Sequence, residues 1–223
     1  MDIVEAIKNR HSVRQYLDKD IEEDIIKKLK DEIDKCNREG DLNIQLVTGD
    51  PETFDCFFAH YGKFTNVKNY IALIGPKGDK LDEKLGYFGE KLVILAQSLG
   101  LNSCWLGLSY SKRKTKVKIK ENEKLRLIIA IGYGENQGYQ HKNKSDEKLL
   151  NTSLETAPAW FKKGYELALL APTAMNQQKF VIGYDGKDVS IKAKKGFYSK
   201  VDLGIVKYHF EVGAGKENYS VKF

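Results

Sequence analysis

At 223 residues, 41% hydrophobic and 30% charged, the chain has ample material for a core and none of the bias of a disordered or low-complexity sequence. No apolar run approaches the roughly 18–20 residues that span a bilayer, and the acidic start Met-Asp-Ile-Val-Glu lacks a signal-like core, the pattern of a cytoplasmic protein without a membrane partner. The net charge of +6 is spread among alternating lysines and acids, and the densest basic run, 112–120, lies beside Glu121 and Glu123, so a solvated surface accounts for it and no nucleic-acid partner is expected.

Asp2 is placed to cap a first helix through Lys8, with Ile3, Val4 and Ile7 on one face. That helix delivers Arg10-His11-Ser12-Val13-Arg14-Gln15-Tyr16. Two guanidinium forks and a hydroxyl suit a phosphate monoester; cations at a helix C-terminus also complement its dipole without any ligand. Ile21, Ile25, Ile26, Leu29 and Ile33 predict a second helix to about Cys36, closed by a generic turn at 37–41. Strands are predicted over 43–48 and 69–75. Between them the aromatic-rich 53–64 reads equally as a packed helix or a pocket lid.

Phe88, Leu92, Leu95, Ala96 and Leu99 form the clearest amphipathic stripe, a helix over 85–99 ended at Gly100. Asn102 to Leu108 and the apolar run 125–132 predict two further strands. Cys104 beside Trp105 and Leu106 is read as core filling rather than as a nucleophile, with no His near in sequence. The three cysteines and four histidines are scattered without metal-ligand spacing, so no metal site is expected. A helix over 160–170 stops at Ala171-Pro172, since proline has no N–H to continue it. Behind that stop lie Thr173, Ala174, Met175, Asn176, Gln177 and Gln178, a turn rich in uncharged donors and acceptors. It suits a flat heteroaromatic ligand, or equally an ordinary polar connection into the strand at 180.

Arg10, Ser12, Arg14 and Tyr16 match the R-x-S-x-R-x-[FY] signature of the FMN-dependent nitroreductase family, and Ala171, Pro172, Asn176 and Gln178 match its A-P-S-x-x-N-x-Q-P-W turn, with Thr173 for Ser and Lys179-Phe180 for Pro-Trp. Asn102 to Leu108 resembles its G-L-x-S-C-W-x-G strand, and Gly132-Tyr133-Gly134 its I-G-Y-P turn. The resemblance implies an α+β, nitroreductase-like fold with a central mixed sheet flanked by helices. It also implies FMN as cofactor, held by Arg10, His11, Ser12, Arg14, Trp105, Leu106, Gly107, Lys142, Lys144, Pro172, Thr173, Ala174, Met175, Asn176 and Gln178. The expected activity is ping-pong hydride transfer from NADH or NADPH to a nitroaromatic, quinone or similar small acceptor. Enone reduction, dehalogenation and flavin binding without turnover are the alternatives. The flavin carries the chemistry, so no catalytic side chain is assigned.

The turn stands far from its usual place soon after the basic motif. Leu46-Val47 and Val181-Ile182 are 135 positions apart, and Phe88-Gly89 and Leu203-Gly204 are 115 apart, so the chain reads as two degenerate halves, 1–150 and 151–223. Ordinary nitroreductases are homodimers with FMN in the interface. Here each motif occurs once, in opposite halves, and the resemblance implies an internal pseudo-dimer in which a monomer suffices for one composite site.

Overall fold

The computed structural model describes residues 1–223. The chain opens with α1 (Ile3–Asn9), whose first turn is capped by Asp2 as its Oδ1 accepts the Glu5 N–H at 2.8 Å. The first part continues through α2 (Glu23–Gly40), β1 (Gln45–Val47), α3 (Phe57–Tyr61), β2 (Tyr70–Pro76), α4 (Leu81–Ser98), β3 (Asn102–Leu106) and β4 (Glu123–Gly132). The second holds α5 (Asp146–Leu149), α6 (Ala159–Ala168), β5 (Phe180–Tyr184), β6 (Val189–Ala193) and α7 (Ser199–Ala214). The ambiguous stretch 53–64 resolves into a 3₁₀ turn at Pro51–Phe54 and the short α3, which leaves Phe57, Phe58 and Tyr61 exposed.

The fold is α+β. Four strands lie in the order β1-β2-β4-β3, and β5 and β6 form a separate two-stranded sheet. Every ladder is antiparallel; the parallel pairing expected of a mixed sheet enters only through isolated bridges, among them Ser12 to Ser103 on the outer edge of β3. Side chains of β2 alternate between two cores, as a two-residue period requires. Ile71 and Leu73 join the larger core on the α4 and α7 side, while Tyr70, Ala72 and Ile74 join a smaller one with Val13, Tyr16 and Ile128. No helix is long and apolar enough to cross a membrane.

Helix α7 packs against both α4 and α6, and the α4–α7 crossing is closed by a pair of glycines. A Cβ on Gly86 would lie 2.0 Å from the Val201 carbonyl oxygen, and one on Gly204 would lie 2.0 Å from that of Glu83. Only glycine permits backbones this close. The crossing therefore sets Gly204 against Gly86; Gly89, which corresponds to Gly204 at the 115-residue spacing, instead makes room for the Trp105 indole, 2.6 Å from where its Cβ would stand.

With the short α3 between β1 and β2 set aside, the order helix, strand, strand, helix occurs twice, as α2-β1-β2-α4 and as α6-β5-β6-α7. The strand registers also agree. Gln45, Leu46 and Val47 pair with Ala72, Ile71 and Tyr70, while Phe180, Val181 and Ile182 pair with Ala193, Lys192 and Ile191. The one strand in this series that the sequence reading passed over is β6, where Val189, Ile191 and Ala193 alternate with Ser190 and Lys192.

Candidate functional site

The segment after α1 is zipped onto the sheet edge. Val13 N–H donates to the Ser103 carbonyl at 3.0 Å, Tyr16 N–H to Thr65 at 3.1 Å and Leu17 N–H to Tyr133 at 2.8 Å. The buried Tyr16 pins it further, its hydroxyl donating to the Val13 carbonyl at 2.8 Å. An extended strand puts Ser12 and Arg14 on one side, and both line a cleft of about 260 Å³, close to the roughly 300 Å³ at which small-molecule sites begin. Cys104 to Leu108 and Leu127 supply a second wall. Pro172 to Met175 and the start of α7, with Phe197, Tyr198, Val201, Asp202 and Ile205, supply the third.

The turn after α6 is held under backbone strain. Met175, Asn176 and Gln178 have φ of 51°, 51° and 43°, a left-handed region that costs non-glycine residues on the order of 1 kcal/mol or more each. Its own hydrogen bonds fix it. Gln178 N–H donates to the Thr173 hydroxyl at 3.1 Å, Asn176 N–H to the Thr173 carbonyl at 3.0 Å, and Ala174 N–H to Asp202 Oδ1 at 3.0 Å. Threonine keeps the hydroxyl that the family's serine supplies, and Met175 projects into solvent, 87% exposed.

Nine of the fifteen sequence-predicted residues meet in this cleft: Ser12, Arg14, Trp105, Leu106, Gly107, Pro172, Thr173, Ala174 and Met175. The other six stand outside its lining. The Asn176 amide donates to the Lys142 carbonyl at 3.0 Å, and Gln178 donates to the same carbonyl at 2.9 Å while accepting from Lys144 N–H at 3.0 Å. Lys144 Nζ donates to the Gln177 carbonyl. These four residues clip the 142–144 segment over the turn. His11 is partly buried beside Arg10 and His141, and burial lowers its pKa. Arg10 is buried at 3% exposure with Nε 3.7 Å from Glu90 Oε1, and burial lowers its pKa while Glu90 opposes the shift.

Behind the cleft Glu90 joins several elements. Its Oε2 accepts the Trp105 indole N–H at 2.9 Å, and its Oε1 faces His209 Nε2 at 2.9 Å. The other ring nitrogen of His209 lies 3.0 Å from the Leu167 carbonyl, at the end of α6. Trp105 is thus oriented by a carboxylate on α4, and α6 is tied to α7 beside the turn. Burial pushes the Cys104 thiol up, which keeps it protonated and makes it wall rather than nucleophile.

Phe197, Tyr198, Val201, Asp202 and Ile205 went unnoticed in the sequence as site residues. Tyr198 has φ of 55°, and its hydroxyl donates to the Gly107 carbonyl at 3.2 Å. A Cβ on Gly107 would come within 2.4 Å of the Tyr198 ring, so this glycine sets how near the second and third walls stand. The available signal was Gly196-Phe197-Tyr198 before an apolar helix, a turn with two aromatics.

A family model described as "Putative TM nitroreductase" matches residues 2–214. The chain belongs to this nitroreductase family. It is an oxidoreductase by that membership, as the two signatures implied. A solved structure of a "putative nitroreductase" from Thermotoga maritima MSB8 is 25% identical, with a TM-score of 0.68, over 96% of this chain and 83% of that one. A "putative nitroreductase in complex with FMN" from Desulfovibrio desulfuricans is 18% identical, with a TM-score of 0.54, over 68% of this chain and 96% of that one. A "putative NADH oxidase" from Clostridium acetobutylicum is 20% identical, with a TM-score of 0.50, over 68% and 99%. The last two likenesses concern the fold. A comparison with curated proteins gave no match.

Proposed function

We propose that this nitroreductase binds one FMN per chain in the cleft and passes hydride from NADH or NADPH to a nitroaromatic, quinone or similar electron-poor acceptor. The observation that carries the reading is the composition of the cleft: the Ser12–Arg14 segment, the β3 backbone and the Pro172–Met175 turn converge within one chain. The donor set fits a flavin mononucleotide. Arg14 is exposed and without an ion-pair partner at the rim. Arg10 Nε and Nη1 and the Ser103 hydroxyl are also buried without hydrogen-bond partners, but neither residue lines the cleft and Glu90 faces the Arg10 charge, so the donors that fit are those of Arg14, Ser12 and the flanking backbone.

Arg14 and Ser12 would hold the phosphate, and the backbone of Pro172 to Ala174 and of Trp105 to Gly107 would flank the ring from two sides. The chemistry that bound FMN supplies is two-electron: hydride uptake from the nicotinamide and release to the acceptor. The protein orients both partners and keeps bulk water from the apolar wall of Leu106, Leu127 and Ile205.

The halves 1–150 and 151–223 are read as a fused, partly eroded dimer that keeps one composite site. The matching registers of the two strand pairs and the Gly86–Gly204 crossing support this. So does the extent of the FMN-bound relative, which covers 68% of the chain and not all of it. A single chain should then suffice for binding, with further association not required. The test is the visible spectrum of the purified protein, followed by FMN titration and size determination at the same dilution. A yellow monomer with one FMN, oxidising NADH or NADPH in the presence of a quinone, is the expected result. Protein that stays colourless after incubation with FMN refutes the reading, and FMN held only by dimers refutes the single-chain site.

A further inference from the structure

Asp202 is the one carboxylic acid among the residues lining the cleft. It sits in the first turn of α7 and is 3% exposed. Its Oδ1 accepts the Ala174 N–H at 3.0 Å and its Oδ2 accepts the Gln177 amide at 2.9 Å. A carboxylate oxygen has room for a second partner, so both oxygens keep capacity beyond these bonds.

No cation neutralises it. Arg14, Cys104 and Tyr198 are the other titratable groups lining the cleft, and Arg126 lies over the Tyr198 ring; none bonds to Asp202. On α4, Glu83, Tyr87 and Glu90 face α7 but are engaged by Lys207, Glu211 and His209. Burial therefore dominates, and against the pull of its two hydrogen bonds it raises the carboxyl to about 6.

Reduction of a quinone takes up two electrons and two protons, of which hydride brings both electrons and one proton. The second proton needs a donor. Arg14 does not give one up, the Cys104 thiol is pushed up by burial, and the Tyr198 hydroxyl is committed to the Gly107 carbonyl.

We propose that Asp202 is the catalytic acid that donates this proton to an acceptor oxygen, an inference that rests on the flavin reading above. As the acceptor takes hydride from the reduced flavin, the Asp202 O–H bond breaks and an acceptor O–H bond forms. Bound FMN would supply both electrons with that hydride, and the Asp202 carboxylate is reprotonated by solvent through the open cleft. Reduced nicotinamide then supplies the next hydride.

The test compares 1,4-benzoquinone, which must be protonated, with ferricyanide, which takes electrons alone, in FMN-loaded protein reduced by NADH. Quinone reduction by the wild type should fall about tenfold per pH unit above pH 6, while ferricyanide reduction does not follow that slope. Asp202→Asn should lose roughly 100-fold or more with quinone than with ferricyanide, and Asp202→Glu should recover part of the difference. In flavin-free wild type, carboxyl carbon NMR should show one titration near pH 6 that is missing from Asp202→Asn. Equal losses with both acceptors would make Asp202 only a brace for the turn and overturn the proposal, as would a carboxyl that titrates in the ordinary range. Wild type that reduces neither acceptor, or carries no flavin, fails the underlying reading and the proposal with it.

Discussion

Replacing Gly86 by alanine tests the packing that sets the cleft's third wall. The new Cβ would stand 2.0 Å from the Val201 carbonyl oxygen, 2.9 Å from its carbon and 3.1 Å from the Gly204 Cα. A relaxed carbon-to-oxygen contact is about 3.3 Å or more, so α4 and α7 must part by more than about 1 Å. All three atoms are backbone, and no side chain can swing aside. Overpacking of this kind costs roughly 1–3 kcal/mol or more, and a gap of about 0.5–1 Å forfeits a quarter to a half of each dispersion contact along the seam. Alanine's better helix propensity offsets about 1 kcal/mol. A net loss of about 2 kcal/mol follows, read as a shift of roughly 4–8 °C in the melting temperature of the flavin-free protein. Gly204→Ala should match it, its Cβ lying 2.0 Å from the Glu83 oxygen, while Gly78→Ala, with nothing within 4 Å, should change little. Because Val201 and Asp202 line the cleft, the two clashing variants should also weaken FMN retention. An unshifted melting curve for Gly86→Ala would refute the close crossing.

Arg14→Ala should weaken FMN binding by roughly 1.5–3 kcal/mol, about 10- to 150-fold in Kd, and leave urea unfolding of the flavin-free protein unchanged; full occupancy in dilute solution would refute the phosphate role. Thr173→Val removes the acceptor of the Gln178 N–H and should cost about 1–2 kcal/mol of unfolding free energy, with Thr173→Ser close to wild type. Asp202 has its folded pKa raised to about 6, so its contribution to stability is full below the unfolded carboxylate range and is lost as pH rises through about 6. Relative to Asp202→Asn, the wild type should lose on the order of 3 kcal/mol between about pH 4 and pH 7 in urea titrations, and a flat difference would refute the shift. Glu90→Gln leaves Arg10 buried without its counter-charge and should destabilise by about 3–5 kcal/mol in the same assay, whereas a surface pair such as Lys27–Asp31 should matter little.

What was legible in the sequence was whatever depended on local rules. The stripe from Phe88 to Leu99 announced α4, the continuous apolar run announced β4, and Pro172 announced the end of α6, each through periodicity or a missing N–H. The contribution of α7 to the cleft was not legible, because α7 is buried on nearly every side and shows no one-sided stripe to orient it. Asp202 looks like an ordinary first-turn acid until the fold sets it against Ala174 and Gln177. Arg10 misled for the converse reason. Its place in a basic motif points outward to a phosphate, yet a carboxylate 80 residues away on α4 draws it into the core, so Arg10→Ala should impair folding as well as binding. Asn176 and Gln178 are long-range clips whose partner, the Lys142 carbonyl, is a backbone group that no side-chain motif records.

On the proposed reading of two fused halves, the two helices at the centre show what such a fusion permits. In a symmetric dimer, a residue near the twofold axis meets its own copy, so a favourable contact must be favourable with itself. Gly86 and Gly204 still obey that condition, small against small, at the point where α4 and α7 touch. A few residues away the two sides differ. Glu90 on α4 meets His209 on α7 at 2.9 Å, a pair that a strict twofold would repeat on the other side of the axis and that occurs here once. The asymmetric pair draws Arg10 and Trp105 to one side and, through His209, the Leu167 carbonyl to the other. These are the ends of α1, β3 and α6, the elements that lead into the Ser12–Arg14 segment, the cleft floor and the strained turn. This single pair thus lies where it can register all three walls against one another, and on the proposed reading of two fused halves its occurring once goes with one composite site rather than two.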